Sequence, residues 1–330
     1  MKALLSIAPG GPETLVLQDA PALTPGPGEV VIIVKAAAVK FPDVLMIQDL
    51  YQTKPPRPFS PGGEVAGVVK ATGEGVTRLK PGDRVAGLTM WGGLAEEARA
   101  PAAAVFKTPD TMPHDEAAAI LLTYGTSIYA LKQRARLRAG ETLLVLGAAG
   151  GVGVSAIELG KAMGARVIAA ASSQEKVDFA KQAGADEGLV YPRDIDKEGQ
   201  KAFSDAIKRA GGGGVDVVYD AVGGDYTEPA LRALNWGGRF LVIGFPAGIP
   251  RIPLNLALLK SCEIVGVFWG AWTLRDPEGH ARDAAELFAL YEAGKIKPRI
   301  SRHFPLVRGG EAIQALADRS AQGKIVVTVA

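Results

Sequence analysis

The chain has 330 residues, of which 48% are hydrophobic and 22% charged, and its formal net charge is +2. This length favours two domains, and the balanced charge gives no support for nucleic-acid binding, which needs a basic face. Cys262 is the only cysteine, which excludes an internal disulfide and a four-thiolate zinc site and fits a cytoplasmic protein. The N-terminal residues MKALLSIAPGG do not resemble a signal peptide, and no run approaches the roughly 20 apolar residues of a membrane span.

The first 110 residues carry short apolar runs separated by turns rich in proline and glycine. Examples of the runs are EVVIIVKAAAV and EVAGVV, and examples of the turns are PGPGE and KPGD. Short strands between regular turns predict an all-β barrel or sandwich. We place the crossing into the next domain near Thr123–Gly125.

From about residue 140 the pattern changes to apolar strands that alternate with helices. The predicted strands cover residues 142–147, 165–171, 187–191, 215–223, 239–245 and 263–268. The predicted helices between them cover residues 154–163, 174–184 and 199–210. This alternation predicts a parallel, doubly wound sheet.

Two helices and one strand are predicted in the remaining residues, at 280–294, 309–320 and 324–329. The last strand, KIVVTV, has no evident partner near it in the sequence. We therefore expect it to return to the N-terminal domain.

Residues 142–153, TLLVLGAAGGVG, form a strand and a glycine-rich turn, and a helix and a second strand follow within about 30 residues. In this setting glycines let the backbone approach a pyrophosphate, and the helix N-terminus offers free N–H groups and positive partial charge. Gly150 is predicted to face the pyrophosphate and Gly153 to let the helix pack on the strand, with Gly151 and Val152 between them. The alternative is a tight turn that holds no ligand.

The end of the second strand predicts which dinucleotide binds. An NAD site places Asp or Glu there for the ribose hydroxyls, and that acid repels a 2′-phosphate. Here no acid occurs from Val167 to Gln174, whereas Ser172 offers a hydroxyl and Lys176 a cation. Tyr191, at the end of the third strand, offers another donor. We therefore predict NADPH as the cofactor; the alternative for Lys176 taken alone is an ordinary solvated charge on a helix.

The whole chain resembles the medium-chain dehydrogenase/reductase family, and in detail its zinc-independent quinone oxidoreductase branch. The segments that carry this resemblance are residues 41–69, 80–88, 121–131, 147–153, 215–224, 238–245 and 323–329. The resemblance implies an α/β protein with a GroES-like β-barrel catalytic domain at residues 1–123 and 270–330. It also implies a Rossmann domain with a doubly wound parallel sheet at residues 124–269, and an active-site cleft between the two domains.

The same resemblance shows which residues stand at the zinc-ligand positions of the family. Zinc-dependent members carry a ligand Cys three residues before an Asp and a ligand His in a Gly-His-Glu triplet. The matching positions here are Lys40, before Asp43, and Gly63, before Glu64. Neither residue type replaces a thiolate or an imidazole at a tetrahedral zinc site. The three histidines are far apart in the sequence, and we predict no metal.

Two residues are predicted to act on the substrate. Tyr51 matches a tyrosine that points at the substrate in related quinone and enoyl-thioester reductases, and a phenol can hydrogen-bond a carbonyl, stabilise an enolate or pass on a proton. Its alternative is a turn tyrosine packed on Pro55–Pro56. Most relatives carry Asn, near the nicotinamide, where this chain has Lys40. Lys40 is either a cation for an oxyanion or a side chain that turns into solvent.

Further cofactor contacts follow from the resemblance alone. Thr126 matches a helix-start threonine on the nicotinamide half, and Lys324 matches a lysine at the cofactor edge. The residues that match segments covering the cofactor are Gly244, Phe245, Phe268 and Trp269. Phe41, Trp269 and Trp272 are predicted to form an aromatic wall for planar quinones; interface or lid packing is the alternative.

Together these features predict a metal-free, NADPH-dependent reductase that transfers a hydride to a quinone or similar conjugated carbonyl. An enoyl-thioester or enone reductase is the first alternative, since Tyr51 suits both reactions and the run Lys54–Arg57 suits a CoA phosphate. A cofactor-binding protein without turnover is the second. The apolar strand CEIVGVFWG, residues 262–270, predicts an edge that pairs with a second copy in a homodimer. No nucleic-acid or membrane partner is expected.

Overall fold

The structure of the protein is a computed structural model that describes residues 1–318 and 321–329. Contacts within the chain divide it into two compact units. The first unit contains residues 1–122, 284–288 and 298–330, and the second contains residues 123–283 and 289–297. No helix in the described part of the chain has the length and apolar character needed to cross a membrane.

Strands dominate the first unit, and strands and helices alternate in the second. The strands are β1 (Lys2–Leu5), β2 (Val16–Asp19), β3 (Glu29–Val39), β4 (Glu64–Thr72), β5 (Arg84–Leu88), β6 (Glu97–Pro101), β7 (Val105–Lys107), β8 (Thr142–Leu146), β9 (Arg166–Ala171), β10 (Glu187–Val190), β11 (Val215–Asp220), β12 (Leu234–Val242), β13 (Glu263–Gly266), β14 (Ile300–Pro305) and β15 (Lys324–Thr328). The α-helices are α1 (Phe41–Met46), α2 (His114–Ala117), α3 (Leu121–Ile128), α4 (Gly151–Ala162), α5 (Gln174–Gln182), α6 (Lys197–Ala210), α7 (Thr227–Arg232), α8 (Asn255–Lys260), α9 (Trp269–Arg275), α10 (Pro277–Glu292) and α11 (Gly309–Ala317).

The first unit is built around β3, the apolar segment EVVIIVKAAAV. Its sheet has the order β14-β15-β3-β4-β5-β7, and β6 also pairs with β3. Because β3 has partners along both edges and packs into the core of this unit, most of its residues are buried. The strand β15 lies antiparallel to β3, with Ile325 opposite Val39. This pairing confirms that the last strand returns to the N-terminal part of the chain.

The second unit contains a six-stranded sheet of order β10-β9-β8-β11-β12-β13 in which every pair is parallel. Its central strands read as continuous apolar runs, which is typical of parallel strands covered on both faces. All six strands predicted after residue 140 are present, and the expected parallel sheet is confirmed. The predictions missed the short helices α7, α8 and α9, which are too short for their periodicity to stand out.

The chain leaves the second unit later than residue 270. The indole of Trp269 lies against Gly125, where a Cβ would approach the ring to 2.5 Å. Farther along, the amide of Gln133 donates to both carboxylate oxygens of Asp283, at 3.0 and 2.9 Å. These contacts hold α9 and the start of α10 within the second unit. The predicted helix at 309–320 is present as α11, and its last two predicted residues, 319 and 320, lie outside the described part of the chain.

Candidate functional site

The glycine turn of the second unit joins β8 to α4. Gly147 has a φ of +73°, a backbone conformation that side chains other than glycine rarely adopt. Gly150 is the N-cap residue of α4, and no side chain caps this helix. The first turn of α4 therefore presents backbone N–H groups and the positive end of a 12-residue helix to whatever lies in front of it.

Gly150 and Gly153 have different roles in this turn. A Cβ at residue 153 would stand 2.3 Å from the carbonyl oxygen of Gly147 and 2.8 Å from the Cα of Ala148, so only glycine lets the helix approach the strand here. A Cβ at residue 150 would meet only the carbonyl oxygen of Gly147, at 3.5 Å. The space in front of Gly150 is thus open to a ligand, and the turn fits the pyrophosphate of a dinucleotide. Gly151 and Val152, half-buried, form the first residues of the helix.

A buried hydroxyl network supports the turn from inside, and sequence reasoning missed it. The Ser127 hydroxyl on α3 donates to the Val152 carbonyl at 3.1 Å and lies 2.9 Å from the Tyr219 hydroxyl on β11. The Ser155 hydroxyl lies 2.8 Å from that of Ser127. The Ser155 hydroxyl also donates to the Thr123 carbonyl at 3.0 Å, and this bond extends the network along α3. Through these bonds α3 and β11 fix the backbone of the first turn of α4.

The residues after β9 carry the predicted signal for a 2′-phosphate. No carboxylate occurs from Ala170 to Gln174. The Ser173 hydroxyl caps α5 by accepting the backbone N–H of Lys176 at 3.4 Å. Ser172 and Lys176 are half-buried on either side of this cap. The structure thus brings together at one strand end two of the three predicted phosphate contacts, Ser172 and Lys176.

Tyr191 is the third predicted phosphate contact. Its residue is only 6% exposed, and its ring packs against Phe203 and Tyr226 with centroid distances of 5.6 and 4.7 Å. Burial raises the pKa of its phenol, and the backbone of Gly147 hydrogen-bonds the hydroxyl. Tyr191 therefore packs in the core beside the glycine turn, and its contact with the 2′-phosphate stays a prediction.

The aromatic residues predicted to cover the cofactor separate into two groups. Phe245 and Phe268 are exposed, with Gly244 half-buried beside the former. Trp269 is 6% exposed and forms an edge-to-face contact with His280 at 5.4 Å, so it belongs to the core of the second unit. Packing against its own unit explains this burial, and the contact of Trp269 with a cofactor stays a prediction.

Trp272 and Phe41, the other residues of the predicted aromatic wall, lie in different units of the protein. Thr126 lies inside a helix. The ring of Trp272 stacks on that of Tyr129 with centroids 4.6 Å apart, so it has a partner within the second unit. Phe41 is exposed on α1 of the first unit. Thr126 is half-buried and lies within α3, which begins five residues earlier at Leu121; the prediction that it starts the helix is therefore wrong.

The first unit contains a cluster of four charged side chains, here called the charge cluster: Lys40, Asp43, Glu64 and Lys324. Asp43 and Glu64 have no exposed surface, and Lys324 is 5% exposed. The Asp43 carboxylate accepts the backbone N–H groups of Lys40 at 2.8 Å and of Gly62 at 3.1 Å. The Glu64 carboxylate accepts the backbone N–H of Leu122 at 2.9 Å and the Lys324 ammonium at 3.1 Å. Both acids therefore use both of their oxygens.

Lys324 thus has a partner inside the protein. Its ammonium forms an ion pair with Glu64. A lysine that binds the edge of a cofactor needs an ammonium that is available to that ligand. The contact of Lys324 with a cofactor stays a prediction to which the structure adds no support.

Lys40 is half-buried. Its side chain leaves the N-cap position of α1, and its Nζ lies 2.2 Å from the point where a Cβ of residue 63 would stand. Burial lowers the pKa of this ammonium and Lys324 adds to that effect, while the carboxylates of Asp43 and Glu64 oppose it. The structure therefore places a half-buried lysine beside the buried carboxylates of Asp43 and Glu64, and its role at an oxyanion stays a prediction.

Tyr51 lies after α1 and packs, half-buried, against the core of the first unit. Burial raises the pKa of its phenol, and the negative charge of Asp43 raises it further. Tyr51 thus lies close enough to the charge cluster to sense it electrostatically. Its predicted role at a substrate stays a prediction.

A parallel sheet with an open glycine turn at a helix N-terminus, joined in one chain to a mostly antiparallel β unit, is the arrangement of two-domain dinucleotide-dependent oxidoreductases. Residues 26–110 match the family model of the alcohol dehydrogenase GroES-like domain, and residues 151–288 match that of the zinc-binding dehydrogenase. The chain belongs to the medium-chain dehydrogenase/reductase family. The expected combination of a GroES-like domain and a Rossmann domain is confirmed.

Individual relatives cover almost the whole chain. It is 37% identical to the quinone oxidoreductase-like protein 2 homolog of Nematostella vectensis over 92% of this chain and 82% of the relative. It is 34% identical to the quinone oxidoreductase of Rattus norvegicus over 99% and 97% of the two chains. Among solved structures, mycobacterial Rv1454c complexed with NADPH has a TM-score of 0.91 at 33% identity, with 99% and 100% of the two chains covered.

Proposed function

We propose that this protein is a metal-free, NADPH-dependent reductase that transfers a hydride to a quinone or a similarly conjugated carbonyl. The observation that carries the proposal is the open glycine turn at the uncapped start of α4, followed by a β9 end without a carboxylate. The turn fits a pyrophosphate, and the missing acid favours a 2′-phosphate over a free ribose hydroxyl. The relatives named quinone oxidoreductase and the NADPH complex of Rv1454c support the same assignment.

On the cofactor side, the first turn of α4 binds the pyrophosphate through backbone N–H groups. Ser172 and Lys176 bind the 2′-phosphate, the first as a hydroxyl donor and the second as a cation. The network of Ser127, Ser155 and Tyr219 keeps the turn in its binding conformation. When bound, NADPH supplies the hydride of the reaction.

On the substrate side, Tyr51 and Lys40 are the polar side chains that act on the substrate oxygen. A phenol or an ammonium that hydrogen-bonds this oxygen stabilises the negative charge that develops on it as the hydride arrives. The residues at the two family positions for zinc ligands support a reaction without metal. They are Lys40 and Gly63, and neither an ammonium nor a glycine replaces a thiolate or an imidazole.

The second candidate is an enoyl-thioester or enone reductase, and one observation bears on it. Arg57, the last residue of the run proposed to bind a CoA phosphate, donates to the Asp49 carboxylate and to the Ile47 carbonyl, each at 2.8 Å. An arginine held in this way is less available to a phosphate. The quinone assignment is therefore favoured. A cofactor-binding protein without turnover remains the third candidate.

One assay separates the three candidates. NADPH oxidation is followed with 1,4-benzoquinone, with crotonyl-CoA and with no acceptor. The proposal requires oxidation that depends on the quinone. Oxidation that depends only on crotonyl-CoA supports the thioester candidate, and binding of NADPH without oxidation supports the third.

We also propose that the protein acts as a homodimer. Within the described residues, β13 has a strand partner, β12, on one edge only. Ile264 on this strand is exposed, as are Leu254, Leu258 and Leu259 shortly before it. A second copy that pairs along β13 covers this apolar edge. Sedimentation as a monomer at micromolar concentration would contradict this.

A further inference from the structure

Within the described part of the chain, the charge cluster contains one cation that forms no hydrogen bond or ion pair with the protein, the ammonium of Lys40. Lys324 is bound to Glu64, and the two acids are satisfied by backbone N–H groups and by Lys324. No hydrogen bond or ion pair to the Lys40 ammonium is present among residues 1–318 and 321–329. Lys40 is half-buried, and its ammonium has three donors that no described protein group accepts. A ligand that offers an oxygen would satisfy them.

Gly63 leaves free the space that the Lys40 ammonium occupies. A Cβ at residue 63 would stand 2.2 Å from Lys40 Nζ and 2.4 Å from the carbonyl oxygen of Met90. The ammonium and this carbonyl therefore fill the space that a side chain at residue 63 would need. Lys40 and Gly63 act as a matched pair, because the lysine reaches this position only where its neighbour has no side chain.

The surroundings favour Lys40 over Tyr51 as a source of protons. Burial raises the pKa of Tyr51 above that of an ordinary phenol, and Asp43 raises it further. For Lys40, burial lowers the pKa, and Lys324 adds to this effect while Asp43 and Glu64 limit it. An acid works best when its pKa lies near the working pH, so the ammonium is the better proton donor and the phenol the better fixed hydrogen-bond donor.

On the basis of the proposed function, we propose that Lys40 is the proton donor of the reaction and that the substrates are acceptors whose reduction leaves negative charge on oxygen. As the hydride adds to the conjugated system, the electron pair of the carbonyl moves to its oxygen. An N–H bond of the Lys40 ammonium breaks and an O–H bond forms on that oxygen. The neutral amine then takes a proton from water. The acceptor gains one hydride and one proton, so that charge and atoms balance.

The principal test uses Lys40→Met and Lys40→Arg with NADPH and 1,4-naphthoquinone. Methionine removes the proton and keeps the length of the side chain, and arginine keeps the charge but holds its proton too tightly to donate it. We expect both variants to lose about 10²-fold in kcat, at the lower end of what general acids contribute. The kcat of the wild type should fall as the pH rises through the pKa of Lys40, and this limb should be absent in Lys40→Met. Lys2→Met, at an exposed surface ion pair of the same unit, is the matched control.

Two further measurements do not depend on whether Lys40→Met and Lys40→Arg fold. Ethylamine added to Lys40→Ala should restore part of the lost rate, because its ammonium can enter the vacated space. In the wild type, 1,4-naphthohydroquinone should protect Lys40, and not Lys2, from acetylation by acetic anhydride, as read by mass spectrometry. A Lys40→Met variant with wild-type kcat and an unchanged pH profile would overturn the inference and leave the proposed function standing. A wild type that oxidises no NADPH with any acceptor would overturn the proposed function itself.

Discussion

The ammonium of Lys324 lies 3.1 Å from the carboxylate of Glu64, and both side chains are buried although 260 positions separate them in the sequence. The sheet of the first unit brings them together, because β15 and β4 both pair with β3. The ion pair therefore ties the last strand of the chain to its first hundred residues. It also fixes the charge beside Lys40.

Breaking this pair from one side should destabilise the protein strongly. Lys324→Met leaves a buried carboxylate without its cation, which costs about 3–5 kcal/mol in the free energy of unfolding. Glu64→Gln with Lys324→Met should recover part of that loss, because the glutamine carbonyl can still accept the Leu122 N–H. Urea denaturation of the single and double variants measures both values. Equal stability of Lys324→Met and the wild type would show that the pair is not maintained in solution.

The choice of cofactor can be tested at Lys176. An ion pair or charge-assisted hydrogen bond to the 2′-phosphate contributes roughly 1.5–3 kcal/mol, which corresponds to about 10- to 150-fold in affinity. Lys176→Ala should therefore weaken NADPH binding by such a factor and leave NADH binding nearly unchanged. Fluorescence titration with each cofactor gives the two dissociation constants, and Lys181→Ala on the same helix is the control. Equal weakening of both cofactors, or a wild type that prefers NADH, would show that the assignment is wrong.

Tyr51 should distinguish the two classes of substrate. Loss of one donor to an oxyanion typically lowers the rate by about 10²–10³-fold. Tyr51→Phe should approach this loss with an enoyl thioester, whereas with a quinone the loss should be smaller because the charge is delocalised over a ring. The dissociation constant of NADPH should not change. Steady-state kinetics with both acceptors measures the two ratios, and equal losses would remove Tyr51 as a guide to the substrate.

The stability of the second unit should depend on acid through His280. This residue is buried beside Trp269, and burial lowers its pKa from 6.5 to about 4. The unfolded chain therefore binds this proton first as the pH falls. As the pH falls from 6.5 to about 4, the free energy of unfolding should decrease by up to about 3 kcal/mol. Below about pH 4, His280 should cause no further decrease. His280→Phe, which keeps a ring against Trp269, should show a shallower decrease in urea denaturation. An identical pH dependence in both proteins would contradict the assignment.

The parts of the fold that follow local patterns could be predicted from the sequence. The apolar run 142–146 and the glycines after it specify a strand, a turn and a helix start through short-range constraints alone. The return of the last strand could be predicted because an apolar strand needs a partner. Burial of particular side chains could not be predicted in this way. Trp269 matches a segment that covers the cofactor in relatives, and its burial depends on Gly125, far away in the chain, which leaves room for its ring.

The candidate site shows the same division. The turn at Gly150 and the absence of an acid after β9 can be recognised directly in the sequence. The partner of Lys324 and the direction of Lys40 depend on pairings between distant strands and on the space beside Gly63. Tyr191 resembles a donor at a strand end, and only the packing of Phe203 and Tyr226 around it shows that it is part of the core.

The most direct test of the proposed activity is a single turnover with enzyme in excess of NADPH. The loss of NADPH absorbance is followed after mixing with 1,4-naphthoquinone, and the reaction is repeated with NADPH deuterated at the transferred position. We predict a decay that requires the quinone and is slower with the deuterated cofactor, since the bond to that hydrogen breaks in the measured step. NADPH that binds but is not oxidised in the presence of the quinone would contradict the proposed function.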